Sequence, residues 1–138
     1  MRVLMLPMLA ALASPLAAQS APFEAARGAA LTPGQWSYAR TVGGSEARFG
    51  ASFAIRCVAA TRVVVLQRLN GAAPTEMTIT TDLLVRGVPA SGTLGSGDRL
   101  LDAIAFSRGR FLVSGGGAQR LVIPASPEAA RSIEDCRN

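Results

Sequence analysis

The sequence predicts a mainly β, antiparallel, sandwich-like single domain with two short helices, the last one C-terminal. Alternating apolar and polar runs recur at short intervals from Trp36 to Val88, and turn residues rich in glycine separate them. Two later segments, starting at Asp98 and at Ser126, open with helix-capping residues. Roughly 120 residues follow an apolar leader, enough for one core and too few for two.

The leader, Met1 to about Ala18, has Arg2 as a one-charge head, an apolar stretch from Val3 to Leu16, and small Ala17 and Ala18 before Gln19. That stretch is shorter than the roughly 20 residues a membrane span needs and is interrupted by Pro7 and Pro15. It reads as a removable signal peptide, with no transmembrane segment left in the mature chain. The expected organisation is a signal peptide over 1–18, a linker or weak helix over 19–33, and one β-rich domain over 34–138. Ser20 to Pro33 is alanine-rich and holds only Glu24 and Arg27 as charges.

Within the domain, Gln35 to Thr41 places Trp36 and Tyr38 two apart on one strand face, which is expected to be core. Val42 to Glu46 is the turn, and Arg48 to Cys57 alternates through Phe49, Phe53, Ile55 and Cys57, completing a hairpin. Thr61 to Leu69, dense in valine, reads as a central strand ending at Asn70-Gly71, a dipeptide suited to positive φ. Glu76 to Thr81 and Leu83 to Val88 extend this into a meander of four or five strands. Pro89 to Gly97 is read as a loop. Asp98 then caps a helix whose face holds Leu101, Ile104 and Ala105, and Gly109 ends it in the left-handed conformation. A hairpin over Ala103 to Val113, turning at Arg108-Gly109, is the alternative. Arg110 to Val113 and Arg120 to Ile123 are strands joined across Gly115-Gly116-Gly117. Ser126, Pro127 and Glu128 start the last helix as N-cap, first-turn proline and dipole-favoured acid.

Cys57 and Cys136 are the only cysteines. In an oxidising compartment an even count pairs, so one disulfide is expected, joining mid-domain to C-terminus. On the last helix Ala129, Ile133 and Cys136 share a face, which turns the sulfur inward. A loop of about 80 residues closed in this way is worth roughly 4–5 kcal/mol on the chain-entropy model.

The order helix (Asp98 to Phe106), strand (Arg110 to Val113), strand ending in proline (Leu121-Val-Ile-Pro124) and terminal helix resembles the invasion-associated locus B family of exported bacterial proteins. The resemblance covers roughly forty residues of the C-terminal half. It implies an immunoglobulin-like β-sandwich with small helices, located in the periplasm or at the cell surface, in a family with no established catalytic site. The last helix here reads Pro127-Glu-Ala-Ala-Arg-Ser-Ile-Glu-Asp135 where the family pattern has a glycine–aromatic pair.

Chemistry is bounded by missing residue types. With no histidine there is no imidazole base, serine triad or imidazole metal ligand. All fourteen basic residues are arginine, so a Ser-Lys dyad or a Schiff base is unavailable. Paired cysteines leave no thiolate. Carboxylate pairs remain: Asp98 with Asp102, and Glu134 with Asp135, as a remote acid-pair hydrolase. The mature balance, thirteen arginines against nine acids or about +4, is scattered and forms no stripe for a nucleic-acid backbone. Ser107-Arg-Gly-Arg110 is a candidate anion-binding corner, Arg108 and Arg110 being guanidinium forks that fit carboxylate or phosphate. The expectation is an exported periplasmic or cell-envelope protein, not an enzyme. It would act by non-covalent contact with an envelope protein or an anionic surface polymer, with no catalytic residues, cofactor, metal or nucleic acid. A periplasmic enzyme inhibitor or accessory subunit is the alternative.

Overall fold

A computed structural model of the chain describes residues 23–71, 75–115 and 119–138. The expected signal peptide and the linker up to residue 22 lie outside the described residues. A helical turn at 23–26 (α1) is followed by strands β1 (Trp36–Thr41), β2 (Gly44–Phe49), β3 (Phe53–Val58), β4 (Val63–Arg68), β5 (Met77–Thr80), β6 (Val85–Val88) and β7 (Thr93–Gly95). Helix α2 (Arg99–Ala105), strands β8 (Arg110–Gly115) and β9 (Leu121–Pro124) and helix α3 (Pro127–Asp135) complete the order. The described strands form two sheets, β1-β2-β3-β4-β7 and β6-β5-β8-β9, with every pairing antiparallel. The chain is mainly β, sandwich-like, and its last helix is C-terminal.

One inner face of the first sheet carries Ala47 and Phe49 of β2, Phe53, Ile55 and Cys57 of β3, Val64 and Leu66 of β4, and Leu94 of β7, all buried. The second sheet covers part of this face: the Phe53 and Phe111 rings meet edge-on at 5.9 Å, and the Trp36 indole N–H donates to the Pro124 carbonyl at 2.7 Å. α3 covers another part, burying Ala129 and Ile133, with the Ser132 hydroxyl donating to the Ile55 carbonyl at 3.1 Å. α2 packs beside α3. The opposite face of the first sheet is polar, with Glu46 bridging Arg48 and Arg56 at 3.0 and 3.2 Å.

The segment Arg48 to Cys57 is two strands. Gly50, at φ 50°, turns the chain, and Phe49 pairs directly with Phe53. Residues directly opposite in an antiparallel pair share a face, so a three-residue turn leaves the apolar alternation unbroken and hides itself in the sequence. The expected meander also divides, since the chain leaves the first sheet after β4 and β5 pairs with β6 and β8 in the second. Alternation reports which face a residue takes, not which sheet it joins.

Inside the segment read as the loop Pro89 to Gly97, β7 adds three residues to the edge of the first sheet through buried Leu94. Gly92 makes the approach: it sits at φ 69°, and a Cβ there would lie 1.9 Å from the Leu66 carbonyl oxygen. The helix wins over the hairpin at 99–105. Asp98 accepts from the Leu100 N–H at 2.9 Å, and Leu100, Leu101, Ala103 and Ile104 are buried. Ser126 caps α3 through the Ala129 N–H at 3.4 Å.

Cys57 and Cys136 stand at disulfide distance, their Cα atoms 5.5 Å apart and 79 positions apart in sequence. Both are 1% exposed. The bond fastens the end of α3 to an interior strand of the first sheet. The segment expected as linker or weak helix is helical at 23–26, and buried Ala26 packs with Leu112 and Val122 on the second sheet. Thr32 continues the contact, donating its N–H to Val122 O at 2.9 Å and accepting from Val122 N–H at 2.8 Å.

Candidate functional site

Arg108 and Arg110 both line a surface depression of 420 Å³, together with Phe23, Glu24, Arg27, Asp82 and Gly109. Three elements build it: α1, the β5–β6 turn and the α2–β8 connection. The register explains the meeting. Thr80 at the end of β5 pairs with Leu112 near the start of β8, so the turn leaving β5 and the chain entering β8 emerge on one side of the sheet. Gly109, at φ 83°, provides the bend between the two arginines, and its carbonyl accepts from the Ala125 N–H at 3.0 Å.

The two arginines divide their tasks. Arg110 is half-buried, and its guanidinium donates to the Ala29 carbonyl at 2.7 Å, tying the N-terminal segment to β8. Arg108 is exposed and makes no ion pair among the described residues. Arg27 pairs with Glu24 at 2.8 Å, with its guanidinium 5.9 Å from the Phe23 ring centre. Asp82 contributes a second carboxylate, one of whose oxygens is buried without a hydrogen-bond partner among the described residues. Among the described residues the corner therefore offers one guanidinium fork outside any ion pair, with a carboxylate nearby that disfavours a second anion.

The acid pairs are otherwise engaged. Asp98 caps α2 and grips Arg86 with both oxygens, one at 2.6 Å. The Arg86 guanidinium holds the Asp98 carboxyl below the usual carboxylate range, and the Leu100 N–H adds to this. Asp102 and Glu134 both meet Arg137, at 2.8 and 3.3 Å. Asp135 accepts from the Tyr38 hydroxyl, which holds its carboxyl low, with the charges of Arg40 and Arg131 assisting. A glycosidase acid needs a raised pKa; Asp98 and Asp135 are shifted the other way. No cluster of three or more histidine, cysteine or acidic side chains suited to a metal occurs among the described residues.

Trp36 and Tyr38, expected as core, are half-buried and serve as joints. Trp36 packs on Phe49 with ring centres 5.5 Å apart, and the Arg131 guanidinium stacks 4.1 Å from the Tyr38 ring centre. Two features escaped sequence reasoning. A larger depression of 920 Å³ lies between residues 29–33 and the ends of β4 and β9. There Arg68 donates to Asn70 Oδ1 at 3.2 Å, to Gly115 O at 3.3 Å and to Gln119 O, and burial pushes its guanidinium down. The second is the pair of exposed apolar side chains Leu83, next to Asp82 in sequence, and Phe106, two residues before Arg108. No helix among the described residues is long and apolar enough to cross a membrane.

Comparisons with protein-family models, with curated proteins and with solved structures gave no match.

Proposed function

We propose that the chain is an exported protein of the periplasm or cell envelope that acts by non-covalent contact, using the surface around Arg108. The observation that carries this reading is the Cys57–Cys136 pair, because a structural disulfide persists where the redox poise is oxidising. The residue inventory supports it: without histidine or lysine the usual bases and amine nucleophiles are missing, and the acid pairs are held by arginines and a tyrosine. The resemblance to the invasion-associated locus B family, which implies a place in the periplasm or at the cell surface, supports it as well.

Fractionating cells that express the full chain, with thiols alkylated before any reduction, tests the placement. The expected result is a periplasmic or secreted product shortened by about 18 residues, with neither cysteine labelled until reductant is added. A full-length cytoplasmic product with two labelled thiols would overturn it. Titrating the folded domain with sulfate, phosphate and sugar acids tests the surface, and amide NMR shifts are expected at Arg108 and Gly109.

A further inference from the structure

We propose that the side of the second sheet carrying the β5–β6 turn and the α2–β8 connection docks on an anionic lipid surface. Leu83 and Phe106 would enter the headgroup layer and Arg108 would meet lipid phosphate. The proposal rests on export to the envelope and adds to it a partner of stated chemistry.

Leu83 is 64% and Phe106 69% exposed, and both stand on segments that leave the sheet on the side where Asp82, Arg108 and Gly109 share a depression. Neither is loose chain. Buried Thr81 accepts from the Leu83 and Leu84 N–H groups through its hydroxyl, each at 3.1 Å, and its own N–H reaches Leu84 O at 2.9 Å. That turn sends Leu84 against the core and Leu83 outward. Phe106 ends α2 with its N–H on Asp102 O at 2.9 Å, while the Ser107 hydroxyl donates to Ile104 O at 3.0 Å.

Two exposed apolar side chains on anchored backbone, each within two residues of a side chain lining the depression where Arg108 has no ion-pair partner among the described residues, fit an interface that is apolar below and anionic above. A soluble anion would use Arg108 and leave Leu83 and Phe106 without a role. The lining of the depression holds Arg27, Arg108 and Arg110 against Glu24 and Asp82, a net balance of +1, and Glu24 is engaged by Arg27. Each basic side chain near an anionic leaflet changes partition roughly five-fold, less as salt rises.

The test is co-sedimentation of the disulfide-intact protein spanning residues 19–138 with vesicles of phosphatidylcholine alone and of phosphatidylcholine mixed with phosphatidylglycerol. Binding is expected only to the mixed vesicles and should weaken with salt. Leu83→Ser combined with Phe106→Ser should reduce partition about ten-fold or more at unchanged melting temperature, and Arg108→Ala about five-fold. Val42→Ser, at a fully exposed hairpin tip outside the lining of that depression, should change nothing. Equal binding to both vesicle types, or a double variant that sediments like the parent, would overturn the proposal. So would binding of a soluble polyphosphate as tight as vesicle binding and indifferent to the double variant. Any of these would leave periplasmic recovery of the protein untouched, so the two readings fail separately.

Discussion

In the first sheet four strands follow one another along the chain and pair through short turns, whereas the second joins β5–β6 to β8–β9 across β7 and α2. The first sheet also receives the covalent bond from α3, while the second presents the arginine corner and the exposed apolar pair. Local pairing and the disulfide concentrate the short-range and covalent constraints in the first sheet. The second sheet is positioned by packing against it, and its connecting segments are where chemistry faces outward. Rigid scaffolds carrying contact residues on their loops follow the same division.

The contrast is broken most severely at the disulfide. Replacing both cysteines by alanine should cost about 4–5 kcal/mol on the chain-entropy model, read as a lowered guanidinium midpoint against the oxidised parent. A loss under about 1 kcal/mol would mean that α3 holds the first sheet without its covalent bond. Next comes the seam: Phe111→Ala removes a fully buried ring from the second sheet and should cost about 3–5 kcal/mol by calorimetry. Two glycine substitutions then sharpen the difference between halves. Gly92→Ala forces a side chain onto the Leu66 carbonyl at a positive φ and should cost about 3 kcal/mol, whereas Gly109→Ala, also at positive φ but with open space around it, should cost about 1–2 kcal/mol.

The smallest effect is acid sensitivity. Asp98 and Asp135 have depressed carboxyls in the folded state, so the stability they contribute is present above the unfolded value of 3.8 and is lost as pH falls through their lower folded values. Melting temperature should be level from neutral pH to about 5 and decline below about 4. Asp135→Asn should shrink that decline, since it removes the group held low by Tyr38.

Much of this was legible along the chain. Capping side chains act through bonds to amides two or three residues away, so Asp98 and Ser126 announced α2 and α3 directly. Cys136 declared its inward direction by its helical spacing from Ile133. What stayed hidden was long-range or parity-preserving. The Gly50 turn was masked because Phe49 and Phe53 share a face across it, and β7 was masked because its one buried residue, Leu94, lies among glycines and serines. At the corner, the two arginines were visible as a pair. Asp82 was not, because only the β5–β8 register brings it beside them. Nor could composition show that Thr81 would turn Leu83 outward rather than Leu84.

Trp36 is the only tryptophan in the sequence, and its indole donates across the seam to Pro124 of the opposite sheet. The molecule thus has a built-in fluorophore at the contact between its two halves. Emission shifting to longer wavelength before the far-ultraviolet dichroism falls would register the sheets parting while each still kept its own strands, an optical readout that needs no label.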